Sequence, residues 1–276
     1  MSTRIITGDC RDVLKTLDDQ SVHCCVTSPP YFGLRSYLPD DSPAKADEVG
    51  CESTPEQYID RLVTTFREVR RALRDDGTLW VNVQDGYSAG GFGGGGSWGA
   101  KPEWQSIIGR RGWKTAPDGW QRKELLGIPA MLSAALSADG WFLRAEIVWA
   151  KPVASEPPRI DRPGKAHEWV YLLSKCATYH YERHPDVAWT VWHIPPGGDS
   201  SGHAAPMPPE LARRCILAGC PKDGTVLDPF GGAGTTGLVA DRLGRDSVLI
   251  ELNPEYAVMA ERRIHDDAPL FAGGAA

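Results

Sequence analysis

The stretch "VLDPFGGAGTTG", residues 226–237, joins a strand-like apolar run to a helix-like one. "TVLD" (225–228) has the length and branching of a buried strand, and a helix follows from Thr235. Between them Gly232, Gly234 and Gly237 satisfy G-x-G-x-x-G. Glycines let a backbone approach a ligand closely, and a helix N-terminus favours electron-rich groups. "SVLIEL" (247–252) is the next strand, with Glu251 at the spacing expected of a ribose contact. The stretch therefore reads as the site of a nucleoside-containing cofactor. The glycines alone do not say which, and a nicotinamide dinucleotide, hence an oxidoreductase, fits them too. Asp228-Pro229-Phe230 argues against that alternative. A carboxylate at the strand tip suits a cofactor bearing an ammonium, such as the methionine part of S-adenosyl-L-methionine, and repels a pyrophosphate.

Outward from this point, strands and helices alternate. Residues 5–6 and 22–26 read as short buried strands. Thr54 is a helix N-cap with Pro55 in the first turn. Ile59, Leu62, Val63, Phe66, Val69 and Leu73 keep helical spacing, and Gly77 marks the stop. "TLWVNV" (78–83), "WFLRAEIVWA" (141–150) and "EWVYLLS" (168–174) read as strands, as does "YHYERHP" up to Pro185. Further helices open at Pro129, after Pro208 and Pro209, and behind the cap formed by Asn253 and Pro254. Strands separated by helices predict a largely parallel α/β sheet in one domain, 1–276.

The 276 residues are 41% hydrophobic, enough for a real core, and the formal net charge is -6. That balance argues against a surface that binds nucleic acid all over. Charge is concentrated instead in two basic islands, "GRRGWKTAPDGWQRK" (109–123) and "PPRIDRPGK" (157–165). No apolar run reaches the length of a membrane span, and the first residues lack the pattern of a signal peptide. Seven cysteines, an odd number with Cys24 and Cys25 in an apolar strand, fit a reducing, intracellular setting.

The second informative stretch is "TSPPY" (27–31), where a buried strand ends on two prolines and an aromatic ring. "TSPPY" early with "DPFGGAGTT" late resembles the β group of DNA amino-methyltransferases, whose catalytic motif precedes the cofactor motif. "ITGDCRDVL", "GTLWVNVQD", "RAEIVWAKP", "HEWVYLLSK", "HAAPMPPELARRCI" and "ELNPEY" are similar to further family segments, in family order. The similarity spans residues 5–264. It implies a circularly permuted Rossmann-like methyltransferase fold: a mostly parallel seven-stranded sheet with helices on both faces. The chain would begin at the third strand of the unpermuted order and supply the first two last. Asp9, Ser28, Asp228 and Glu251 would then share the carboxyl edge of one sheet, where open α/β folds bind ligands.

The resemblance implies S-adenosyl-L-methionine as cofactor, held by Asp9, Cys10, Asp228, Phe230, Gly232, Gly234, Thr235, Glu251 and Asn253. It implies catalysis by Ser28, Pro29, Pro30 and Tyr31. The substrate amine has a lone pair delocalised into its ring. Acceptors at Ser28 and the Pro29 carbonyl would take its hydrogens and localise that pair toward the methyl group. Prolines fix such acceptors in space. Tyr31 would stack on a base turned out of the helix. In this family Ser-Pro-Pro-Tyr usually accompanies cytosine N4 and Asp-Pro-Pro-Tyr adenine N6. Ser28 thus favours cytosine, with adenine N6 as the alternative. The implied partner is double-stranded DNA, and the implied setting is the cytoplasm, for a bacterial or phage-encoded protein. A cognate restriction endonuclease and the choice of monomer or homodimer stay open. RNA or protein amides are nearer rival substrates, and a DNA-binding module without activity is a further reading.

Two other chemistries compete. Ring-carbon methylation needs a thiolate, usually in a Pro-Cys pair; the chain offers Cys220-Pro221, in the reverse order, so the cysteines read as core. Cys176, His180, His184 and His193 could gather a metal on a helix, but the stretch reads as a strand, and no metal is expected. For target recognition, residues 176–206 are short. The Gly- and Trp-rich insertion 86–123 is the better candidate for DNA contact, through Arg110, Arg111, Lys114, Arg122 and Lys123 beside Trp98, Trp104, Trp113 and Trp120.

Overall fold

A computed structural model describes residues 1–34, 36–38, 41–88, 116–117, 119–152, 160–197 and 207–267. Its strands are β1 (Thr3–Thr7), β2 (Val22–Thr27), β3 (Leu73–Val83), β4 (Phe142–Ala150), β5 (His167–Ser174), β6 (Val191–His193), β7 (Thr225–Asp228) and β8 (Asp246–Glu251). Its helices are α1 (Cys10–Val13), α2 (Pro55–Ala72), α3 (Ile128–Ala138), α4 (Pro209–Gly219), α5 (Thr235–Arg242) and α6 (Pro254–Asp267).

All the strands join one sheet in the order β1-β8-β7-β2-β3-β5-β4-β6. β5 pairs antiparallel with β3 and β4, and every other pairing is parallel. The last two strands of the chain lie between its first two, as the permuted order requires. The family resemblance implies seven strands, and eight form the sheet among the described residues. The extra one, β6, is three residues at the edge beside β4, too short to carry a pattern.

Neighbouring residues of the central strands pack on opposite faces. Cys25, Leu79, Val81, Val83 and Leu227 lie in one core with α1, α2 and α3. Cys24, Val26, Trp80 and Val226 lie in the other with α4 and part of α5. Leu249 packs with Leu238 of α5 and Ile264 of α6. Both faces are covered, so the strands read as near-continuous apolar runs rather than alternating ones.

Helix α2 starts as expected: the Thr54 hydroxyl accepts from the Gln57 amide at 3.3 Å, with Pro55 behind it. It stops at Ala72, well before Gly77, and β3 begins at once. Gly77 serves the sheet instead. Pairing between β2 and β3 jumps from Val22 with Leu73 to Cys24 with Thr78, so β3 carries an irregularity there. A Cβ on Gly77 would meet the carbonyls of His23 and Arg74 at 3.0 Å. The expected strand up to Pro185 is also absent: residues 179–184 join no ladder, and a short 3-10 turn, Pro185–Val187, follows. No helix among the described residues is long and apolar enough to cross a membrane.

Candidate active site

Because β1, β2, β7 and β8 are parallel, their carboxyl ends share one edge of the sheet. Asp9 lies just past β1, Ser28 just past β2, Asp228 ends β7 and Glu251 ends β8. The glycine turn after β7 is tied down from both sides. The Gly231 amide donates to the Ile250 carbonyl at 2.8 Å, and Gly234 to the Gly231 carbonyl at 2.8 Å. Gly234 has φ +77, and a Cβ there would lie 2.7 Å from the Cβ of Ala260. Its small size therefore seats the turn against α6. Thr235 opens α5, and its hydroxyl accepts from Arg263 at 2.9 Å. Phe230 packs half-buried against the core.

Glu251 bridges this turn to α6. One carboxyl oxygen accepts from the Gly232 amide at 2.7 Å, the other from the Asn253 amide at 2.8 Å. Burial and then the nearby Asp228 charge push its carboxyl up to about 7, against those backbone donors. The Asn253 side chain caps α6 through the Glu255 amide at 2.9 Å and donates to the Tyr37 carbonyl at 3.0 Å. Asp9 caps α1 and is clasped by Arg11, which also reaches Asp47. Burial would raise the Asp9 carboxyl, but Arg11 holds it below its ordinary value. Cys10 turns its side chain into the core, leaving only its backbone for a ligand.

Asp228 departs from the expectation of a carboxylate offered to an ammonium. It is 3% exposed and accepts from Thr27 at 2.6 Å, Thr236 at 2.7 Å and the Phe230 amide at 3.0 Å. Burial raises its carboxyl, and these donors counter it. The side chain thus clamps β7 to the end of β2 and the first turn of α5. The edge thus carries a glycine turn at a helix N-terminus with the Glu251 and Asp9 carboxylates beside it, groups that could hold an adenosyl moiety with an amino-acid tail.

The second half of the site starts at Ser28. Pro29 is buried, and no hydrogen bond ends on its carbonyl among the described residues. The Pro30 carbonyl is taken by the Tyr58 hydroxyl of α2 at 2.9 Å. The Tyr31 hydroxyl points inward, to Asn82 at 2.8 Å and Glu168 at 2.6 Å. Burial, reinforced by the Glu168 charge, pushes its phenol well above the ordinary value. Ser28 lies 3.2 Å from both the Tyr31 hydroxyl and Asn82 Oδ1. Glu168 also pairs with Lys151. Sequence reasoning assigned no role to Thr27, Asn82, Lys151, Glu168 or Thr236. The one signal was a polar residue set in, or at the end of, an apolar strand, as in "WVNV" and "HEWVYLL".

The basic islands divide. Arg110, Arg111 and Lys114 lie outside the described residues, as do Trp98, Trp104 and Trp113. Arg122 and Lys123 are exposed on a turn, and Lys123 pairs with Asp161 of the second island at 2.8 Å. The two islands meet at that pair, and Arg162 of the second lies 3.9 Å over the ring of Tyr87. Residues 176–197 form the 3-10 turn and β6, and 198–206 lie outside the description. Cys24, Cys25, Cys215 and Cys220 are buried with thiols pushed up by burial, which suits core packing and not nucleophilic attack. No group of three or more metal-ligating side chains occurs among the described residues.

A family model described as DNA methylase matches residues 22–262. The chain belongs to this N6/N4 DNA methylase family. The type II methyltransferase M.SmaI of Serratia marcescens is 41% identical over 275 residues, covering 95% of this chain and 91% of its own. M.Cfr9I of Citrobacter freundii is 40% identical over 273 residues, covering 95% and 88%. Among solved structures, a protein of Thermus thermophilus described as a DNA modification methylase complexed with S-adenosyl-L-methionine superposes with TM-score 0.66 at 26% identity. That match covers 98% of this chain and 96% of the other. PvuII DNA methyltransferase, described as cytosine-N4-specific, shares the fold with TM-score 0.69 at 18% identity, covering 100% and 94%. This N6/N4 DNA methylase is thus an S-adenosyl-L-methionine-dependent enzyme that acts on an amino group of DNA.

Proposed function

We propose that the enzyme methylates N4 of cytosine at a specific site in double-stranded DNA, by direct transfer to a base turned out of the duplex. The observation that carries this reading is the Ser28 hydroxyl, set at the sheet edge beside the cofactor turn and backed by Tyr31 and Asn82. The cofactor supplies a methyl group on a positively charged sulfur. The chain's own residues do the rest. Ser28 and the Pro29 carbonyl accept hydrogens of the amine and localise its lone pair. The Pro30 carbonyl, held by Tyr58, keeps the loop from swinging. Tyr31 presents a ring fixed by its hydroxyl, a face on which a base can stack.

Glu251 and Asp9 hold the ribose and ammonium ends of the cofactor, with Asn253, Cys10 and the Gly232–Thr235 turn shaping the pocket. Asp228 holds that turn in place. Arg122 and Lys123, continuous with the insertion that carries Arg110, Arg111 and Lys114, contact phosphate. The type II designation of M.SmaI and M.Cfr9I supports a cognate restriction endonuclease as functional counterpart. The test is expression in a host without DNA methylation, followed by sequencing that detects modified bases. N4-methylcytosine at one recurrent sequence is expected, and it should vanish with Ser28→Ala. N6-methyladenine at a recurrent sequence would transfer the reading to adenine. Unmodified DNA would overturn it.

A further inference from the structure

Lys151 and Glu168 form an ion pair with side chains only 7% and 5% exposed. Burying two charges is costly, and methyl transfer does not by itself demand it. β5 runs against its neighbours, so its start, not its end, reaches the active edge: Glu168 pairs with Trp149 of β4, and Lys151 follows β4 directly. The Lys151 ammonium also lies 4.4 Å over the Trp149 ring, which holds it in place.

The pair is the root of a hydrogen-bonded chain that ends at Ser28. A carboxylate accepts and cannot donate. One oxygen of Glu168 takes Lys151; the other takes the Tyr31 hydroxyl at 2.6 Å and the Asn82 amide nitrogen at 3.1 Å. Asn82 also donates to the Trp169 carbonyl at 3.1 Å, so its orientation is fixed with Oδ1 facing Ser28 and Tyr31. Tyr31 has one hydrogen and two acceptors. The charged and nearer one, Glu168, takes it. Tyr31 is left accepting, and among the described residues the Ser28 hydrogen finds its acceptors on the inner side, Tyr31 and Asn82 Oδ1. The lone pairs of Ser28 then face outward, where a substrate amine needs an acceptor.

We propose that Glu168, with Lys151 as counter-ion, is a positioning residue that sets the direction of hydrogen bonds through Tyr31 and Asn82, so that Ser28 meets the substrate as an acceptor. This rests on the role proposed above for Ser28. A glutamine at position 168 keeps the volume but presents an amide donor to Tyr31 and to the Asn82 nitrogen where the parent presents an acceptor, so the hydrogen bonds through both must re-form.

The test is a double-mutant cycle read by single-turnover methylation at saturating S-adenosyl-L-methionine and DNA. Glu168→Gln should slow the parent enzyme about 100-fold, the scale of a lost oriented contact, with both binding affinities within about threefold. In the Ser28→Ala background the same change should add nothing, because its effect runs through Ser28. The charge-neutral pair Lys151→Met with Glu168→Gln should give the same two results, and serves if the single variant unfolds. The proposal is overturned if Glu168→Gln reacts at the parent rate, or if it slows Ser28→Ala by the factor it slows the parent. Failure of the underlying reading is separate: Ser28→Ala would then react at the parent rate, and the roles given to Ser28 and Glu168 would fall together.

Discussion

Glu251 should couple cofactor binding to a proton. Its carboxyl is pushed up to about 7 from an ordinary value of 4.5, by burial and then the Asp228 charge. That displacement is worth roughly 3 kcal/mol. The sign follows from comparing the two states. Below about 4.5 folded and unfolded chains both keep the proton; between there and about 7 only the folded chain does. The raised group therefore favours folding at low pH, and that contribution is lost as pH rises through about 7. Ribose hydroxyls are donors and need the carboxylate. Below about pH 7, S-adenosyl-L-methionine binding should expel one proton, and affinity should fall up to about tenfold per pH unit. Glu251→Gln should remove this component and weaken binding at about pH 8 by roughly 1.5–3 kcal/mol. Calorimetric titration between about pH 5.5 and about pH 8, in buffers of different ionisation enthalpy, counts the protons. Parent and variant with the same pH slope and the same proton count would refute the reasoning.

Ser28→Ala should lower the single-turnover rate by the equivalent of roughly 3–4 kcal/mol while leaving cofactor and DNA affinities nearly intact. Asp228→Asn should cost roughly 1–3 kcal/mol of stability, since one neutral acceptor oxygen would replace two charged ones where Thr27, Thr236 and the Phe230 amide all donate; a loss of cofactor affinity with unchanged thermal unfolding would instead make Asp228 a direct ligand. Gly234→Ala should destabilise the fold by about 1–3 kcal/mol, because the new methyl meets Ala260 at a left-handed φ; an unchanged melting temperature would contradict this. Arg122→Ala with Lys123→Ala should flatten the salt dependence of DNA binding by up to about two counterions and spare cofactor affinity. Equal slopes would show that this turn never meets phosphate.

The cofactor half was legible because its parts are close in the chain. Gly232 and Glu251 are joined by one helix and one strand, and local geometry brings them to a 2.7 Å contact. The Ser-Pro-Pro-Tyr loop was legible for the same reason. What stayed hidden depends on long-range pairing. Tyr31 meets Glu168 across 137 residues and Thr27 meets Asp228 across 201. Glu168 was further disguised because it opens an antiparallel strand, whereas in parallel neighbours the active edge is at the strand's end. Gly77 misled because a glycine after a helical run has two uses, and only the register of β2 against β3 shows which one applies.

The position of β7 and β8 inside the sheet governs when the enzyme comes alive on the ribosome. β1, β2 and the Ser-Pro-Pro-Tyr loop are synthesised first, yet the strands that must fill the gap between β1 and β2 are synthesised after all the others. Until they arrive, β2 has an unpaired edge bearing Cys24, Cys25 and Val26, an apolar template for aggregation. The cofactor turn does not yet exist either. A nascent or prematurely terminated chain therefore carries the Ser-Pro-Pro-Tyr loop on an unfinished sheet, and the edge shared by Asp9, Ser28, Asp228 and Glu251 is complete only when β8 has threaded into the sheet's interior.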